Sequence, residues 1–148
     1  MPRDHIAKKL KIWSPAIIWM GVIFALSSIP GNDIPKVRVP HIDKLAHIME
    51  FLILDALLVR AFFYSFLPDN IRHDRSDSLN IDIFALKNFN LAKAVFLSII
   101  VASVYAALDE WHQSFVPDRT PDIVDFSADV AGIIIGAIIC RSILLIKR

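Results

Sequence analysis

The chain has 148 residues, is 55% hydrophobic and carries a formal net charge of +1, which excludes the basic footprint of a nucleic-acid-binding protein. A mean hydropathy of +0.54, with the apolar residues gathered in blocks, excludes an ordinary soluble domain and indicates an integral membrane protein. The single cysteine, Cys140, excludes an intrachain disulfide and any multi-cysteine metal centre.

The first uncharged run covers residues 12–32, long enough to cross a hydrocarbon core as a helix, which takes about 20 residues. Lys8, Lys9 and Lys11 precede it, as in a signal peptide, but the run outlasts the ~7–15 residues of a signal core. A second span is expected over 45–67, although it carries His47, Glu50, Asp55 and Arg60. Residues 68–90, rich in Asp, Asn, Ser and Arg, read as a polar connector. The third span is expected over 91–111 and the fourth over 123–146, with Asp125 and Asp129 near the start of the fourth. The expected fold is all-α: a single membrane domain over 1–148, built as a four-helix bundle.

Four spans put both termini on one side. Basic residues concentrate in the termini and the 68–90 connector, whereas Lys36, Arg38, Lys44 and Arg119 are the basic residues of the other face, so the termini are expected to be cytoplasmic. The acids run the opposite way: Asp33, Asp43, Glu50, Asp109, Glu110, Asp118, Asp122, Asp125 and Asp129 all fall at or near the outer face.

Helical spacing gathers these acids into stripes. Asp43, His47 and Glu50 stand at i, i+4 and i+7; Asp109 and Gln113 at i and i+4, with His112 beside them; Asp125, Asp129, Gly132 and Gly136 at i, i+4, i+7 and i+11. Gly132 and Gly136 form a small-xxx-small pair for helix packing, so the same face turns Asp125 and Asp129 toward neighbouring helices. With residue 123 at the membrane boundary, Asp129 lies roughly 9 Å down the axis at ~1.5 Å per residue. An ionisable group there costs roughly 2.5–3.5 kcal/mol on insertion scales, and its default reading is functional. Arg119 is the basic residue of the last loop, suited either to pair with Asp109, Asp125 or Asp129 or to clamp an anionic group on a ligand. Plainer roles compete. Asp43 suits the N-cap of the second span, Thr120 and Pro121 suit N-cap and N1 of the fourth, and Asp122 and Asp125 suit its positive dipole end. Asp43, His47, Glu50, Asp109 and His112 include donors for a divalent ion, but without a tight motif such as H-E-x-x-H no metal or other cofactor is assigned.

The segments "DKLAHIMEF" (43–51) and "DEWHQSFVPDRTPDIVDFSADVAG" (109–132), set in a four-span layout, resemble the VanZ-like family. The family's D-K-x-x-H element falls on Asp43, Lys44 and His47, and its D-E-x-x-Q-x-F-x-P-x-R element on Asp109, Glu110, Gln113, Phe115, Pro117 and Arg119. Its last acidic pair and glycine fall on Asp125, Asp129 and Gly132. Asp118 departs from the pattern, standing where the family usually has Gly; a left-handed turn is expected there, which Asp tolerates. The resemblance implies a multi-pass protein of the bacterial cytoplasmic membrane, and the family's named member confers resistance to teicoplanin. It implies no particular reaction.

Two functional readings follow. In the first, His47, Glu50, Asp109 and Asp129 supply acid/base groups, and Asp43, Glu110, Gln113, Arg119 and Asp125 bind an envelope lipid or amphiphile, with or without chemistry on its headgroup. In the second, the polar stripes are helix–helix clasps or dock a partner membrane protein. A homo-oligomer is compatible with either. A transporter fits less well, since four spans without repeats are few for alternating access.

Overall fold

The computed structural model describes residues 2–33, 42–68 and 81–146. Its long helices are α1 (Pro2–Ser27), α2 (Ile42–Phe66), α3 (Ile81–Gln113) and α4 (Ile123–Ile146), with a short 3-10 turn at Gly31–Asp33. No strand occurs among the described residues. Three segments are long and apolar enough to cross a membrane: Ile6–Ser27, Ala85–Gln113 and Ile123–Leu145. The chain is a membrane protein of helical-bundle type.

The helix carrying Glu50, Asp55 and Arg60 is not among those three, and its place in the bundle explains how it holds charge. α2 packs against each of the other long helices. Its Phe51, Leu54, Leu58, Val59 and Ala61 are buried, and so is its mid-helix Asp55, turned toward protein rather than lipid. Lipid-facing surface is supplied by residues such as Ile17, Ile18, Phe96, Val104 and Ile138, all exposed on the bundle exterior.

Cross-helix contacts fix the topology. Trp13 Nε1 donates to Ser65 Oγ (3.1 Å) and Trp19 Nε1 to the Glu50 carbonyl (2.9 Å), so α1 and α2 run antiparallel. Tyr105 Oη donates to the Met20 carbonyl (2.7 Å) and Ser27 Oγ to Asp109 Oδ2 (2.8 Å), so α1 and α3 run parallel. α4 runs parallel to α2, with Gly132 against Ile48 and Gly136 against Leu52. The bundle is therefore up-down-up-down. One end collects the last turns of α1 and α3 and the first turns of α2 and α4, which is where the acids converge.

The two glycines set the α2–α4 distance. A Cβ on Gly132 would strike the carbonyl oxygen of Ile48, and one on Gly136 would come within 2.5 Å of the carbonyl oxygen of Leu52. Backbone cannot step aside as a flexible side chain can, so the absence of a side chain at both sites is what permits this approach.

α3 is longer than the expected 91–111 span. Residues 81–90, read as connector, are its first turns, while 69–80 lie outside the described residues, as do Lys36 and Arg38. The reason is tertiary. Asn90, Leu91 and Ala94 are buried, and Leu91 and Ala94 join Val59, Phe63 and Leu67 of the α2 end in one apolar cluster that carries the helix past its polar residues.

The two described loops at the acidic end lock together. Gly31 N–H donates to the Pro117 carbonyl (3.0 Å) and Asn32 Nδ2 to Asp118 Oδ2 (2.6 Å). Asp118 has φ 58°, the expected left-handed conformation. Its carbonyl oxygen occupies the place where a side chain on Gly31 would stand.

Candidate functional site

The site is built at the acidic end by the facing stripes of α2, α3 and α4 and the loop that carries Arg119. Its α2–α4 contact is a histidine–carboxylate pair: His47 Nδ1 lies 2.9 Å from Asp129 Oδ1. Asp129 is fully buried, two turns into α4. With Asp129 ionised, Nδ1 carries the ring proton and donates it, leaving Nε2 as the free nitrogen, 4.0 Å from Asp125 Oδ1.

Above this pair sits Lys44. Its ammonium contacts Asp125, lies 3.3 Å from Asp122 Oδ2 and lies 3.2 Å from Asp43 Oδ2. The partner of Asp125 is thus Lys44, not Arg119, which corrects one sequence expectation. The geometry is simple: Lys44 is on α2 one turn before His47, directly opposite the α4 acids, whereas Arg119 turns the other way, toward α1.

Arg119 donates through Nε to the Ile29 carbonyl (3.2 Å), through an Nη to the Leu26 carbonyl (3.4 Å) and through the other Nη to Gln113 Oε1 (3.5 Å). Among the described residues no carboxylate lies within ion-pair distance of it. Gln113 is held in turn, since its Nε2 donates to Asp109 Oδ2 at 2.9 Å, the oxygen that also accepts from Ser27. Asp109 and Gln113 are both buried, so Ser27, Asp109, Gln113 and Arg119 form one chain of hydrogen bonds from α1 through α3 to the loop.

Asp122 is the N-cap of α4. Its Oδ1 accepts the Val124 N–H (2.8 Å), and its carbonyl accepts the Phe126 N–H (3.1 Å). The sequence suggests Thr120 as N-cap and Pro121 as N1; in the structure Glu110 Oε2 accepts the Asp122 N–H at 3.0 Å and ties the helix start two residues later. The Val124 N–H, followed by the Lys44 ammonium, holds the exposed Asp122 carboxyl below the usual carboxylate range. Asp43, the second residue of α2, is exposed and faces Lys44.

Two cavities adjoin these groups. The polar one, about 320 Å³, is lined by Ser27, Asp33, Asp43, His47, Glu50, Gln113 and Arg119 with Leu26, Ile29 and Ala46. The other, about 310 Å³, is mostly aromatic and apolar, lined by Phe24, Tyr105, Leu108, Trp111 and Phe115 with Asp109 and His112. His112 stacks on Phe24 (4.5 Å between centroids) and lies 3.0 Å from Ser28 Oγ, away from His47.

The structure thus brings Asp43, His47, Glu50, Gln113 and Arg119 around one cavity, and sets Glu110, Asp125 and Asp129 behind His47. Asp109 stands between the two cavities. Donor atoms of His47, Glu110 and Asp129 lie within 4.8 Å of one another. Lys44, Ser27 and Ser28 were not picked out from the sequence as site residues. Lys44 had a signal, its place in the D-K-x-x-H element; the serines had none beyond closing an apolar run. The carboxyl groups of Asp43, Glu50, Asp109, Glu110, Asp122, Asp125 and Asp129 outnumber the cations set among them, Lys44, Arg119 and at most His47.

The sequence profile of the VanZ/LLP1 family matches residues 12–146, nearly the whole chain. No curated protein and no solved structure matches the chain.

Proposed function

The chain belongs to the VanZ/LLP1 family, and we propose that it binds an amphiphile of the bacterial cytoplasmic membrane by its anionic headgroup, with Arg119 as the anchor and the His47–Asp129 pair as the proton-handling group. The observation that carries this reading is the position of Arg119. It lines the polar cavity with its guanidinium held by two carbonyls and one amide, and no described carboxylate lies within ion-pair distance of it. A guanidinium held by neutral acceptors keeps its full charge for a phosphate or carboxylate.

Several features support the rest. The Ser27–Asp109–Gln113 chain positions Arg119. His47 and Glu50 line the same cavity, so a headgroup seated on Arg119 meets an imidazole oriented by Asp129, the arrangement that general acid–base transfer requires. The apolar cavity beside Asp109 suits an acyl or aromatic tail. The acidic end lies on the outer face if the basic connector and termini are cytoplasmic, and a headgroup site at the outer leaflet is where an influence on glycopeptide susceptibility would act.

The test is retention of anionic phospholipid by the purified full chain in nanodiscs made with phosphatidylglycerol. Arg119→Gln should reduce bound anionic lipid at least about tenfold, the scale of one lost charge-assisted contact, while His47→Gln keeps it. Unchanged lipid retention in Arg119→Gln sinks the proposal. Expression in a susceptible host then asks whether Arg119→Gln and His47→Gln alter the teicoplanin inhibitory concentration relative to the parent chain.

The clasp reading also has a specific observation behind it: Lys44 bridges Asp43, Asp122 and Asp125 across α2 and α4. This half of the cluster holds the bundle together, and the half around Arg119 binds.

A further inference from the structure

Behind His47, two carboxylate oxygens have no hydrogen-bond partner. They are Asp129 Oδ2, in a fully buried residue, and Glu110 Oε1. The remaining oxygens of these groups are engaged, Asp129 Oδ1 by His47 Nδ1 and Glu110 Oε2 by the Asp122 N–H. A buried carboxylate oxygen without a donor is unsatisfied by the protein alone, and an ion bound there would satisfy it.

We propose that His47, Glu110 and Asp129 form a binding site for a divalent cation of the zinc or manganese type. The donor set is one imidazole and two carboxylates, which suits these ions. Their donor atoms lie within 4.8 Å of one another. Neighbouring ligands around a tetrahedral ion with bonds of about 2.1 Å stand about 3.4 Å apart, so the Glu110 side chain has to close on the His47–Asp129 pair, whose own contact is 2.9 Å. The three donors come from α2, α3 and α4, so the ion would clamp three helices at one point. Lys44 is already committed to the acids nearer the surface and does not neutralise Asp129. His47 also lines the polar cavity, the side from which the ion would enter.

The cation and the His47–Asp129 hydrogen bond are alternative occupants of the pair. Without the ion, the Nδ1 proton bridges the two side chains; with it, Nδ1 coordinates the ion as a neutral imidazole and the ring proton sits on Nε2 instead. The site rests on the geometry of three helices and not on the lipid reading, since Arg119 takes no part in it.

The experiment uses the full chain in detergent, stripped with a chelator and titrated separately with zinc and manganese. One ion per chain is expected, with a rise in unfolding temperature on loading. Glu110→Gln, Asp129→Asn and His47→Gln should each weaken binding at least about tenfold, and Arg119→Gln and His112→Gln should leave it unchanged. X-ray absorption on the zinc-loaded parent chain should show oxygen ligands with one imidazole, a readout that does not depend on any variant folding. Binding of less than one equivalent, affinity indifferent to all three substitutions, or a coordination shell without imidazole each overturns the site. An Arg119→Gln chain that loses anionic lipid and keeps the ion separates this inference from the lipid proposal.

Discussion

His47 and Asp129 meet across α2 and α4 at 2.9 Å, at a register fixed by Gly132 and Gly136 lying on the backbone of Ile48 and Leu52 further down the same two helices. The polar contact and the close packing are one feature. α4 carries both on a single stripe, so whatever moves the glycines moves the carboxylate.

Gly132→Ala puts the two effects against each other. Alanine gains roughly 0.5–1 kcal/mol in a helix interior, but here its methyl group meets the Ile48 carbonyl oxygen and the helices must separate. Overpacking costs about 1–3 kcal/mol and should win. Thermal unfolding in detergent is expected to fall for Gly132→Ala and further for Gly132→Leu. Gly21, whose added Cβ would meet nothing, is the control, and Gly21→Ala should be neutral or stabilising.

Lys44, not Arg119, is expected to couple energetically to Asp125. Their side chains are 21% and 16% exposed, so the interaction should fall between the ~0.2–1 kcal/mol of an exposed pair and the ~3–5 kcal/mol of breaking a buried one. A double-mutant cycle of Lys44→Met and Asp125→Leu should show this coupling, and a cycle of Arg119→Gln with Asp125→Leu should show none. Equal coupling in the two cycles would mean that the ion pair is not as the structure has it.

The contrast between Lys44 and Arg119 shows what sequence carries and what it does not. Period fixed the stripes: Asp43, His47 and Glu50 share a cavity-lining face, and Asp125, Asp129, Gly132 and Gly136 share the packed one, because helical spacing alone decides which residues share a face. The four helices were legible from long, mainly apolar runs, α2 among them despite Glu50, Asp55 and Arg60. Pairing across helices was not, because it depends on rotation about each helix axis, and nothing local to Arg119 says whether it turns toward α4 or α1. The start of α3 was missed for a related reason: residues 81–90 look like a loop until Leu91 and Ala94 are set against Phe63 and Leu67.

Asp118 tests the loop that presents Arg119. Its φ of 58° is open to Gly and Asn and costly for a β-branched side chain. Asp118→Val should destabilise by roughly 1–2 kcal/mol and also free the loop from Asn32. Asp118→Gly keeps the backbone conformation while losing the Asn32 contact, and is expected to lie close to the parent. Limited proteolysis of the 114–122 loop reads the difference: faster cleavage in Asp118→Val than in Asp118→Gly is the expected order, and the reverse order contradicts the turn.

Asp55 is the remaining buried acid, and it belongs to neither half of the site. It lies in the middle of α2, fully buried, with the Ser98 hydroxyl beside it but no well-formed hydrogen bond to either oxygen. A carboxyl group at that depth costs roughly 2.5–3.5 kcal/mol on insertion scales, offset only in part by the single buried hydroxyl of Ser98. Replacing it with an apolar residue of similar size should therefore stabilise the bundle. Asp55→Val is expected to raise the unfolding temperature by several degrees at a gain of about 1–2 kcal/mol, since some of the benefit is lost to imperfect fit. A gain in stability joined to a loss of the in vivo phenotype would mark Asp55 as kept for function at the expense of the fold. A fall in stability would show that the Ser98 hydroxyl holds the carboxyl group by more than its burial costs.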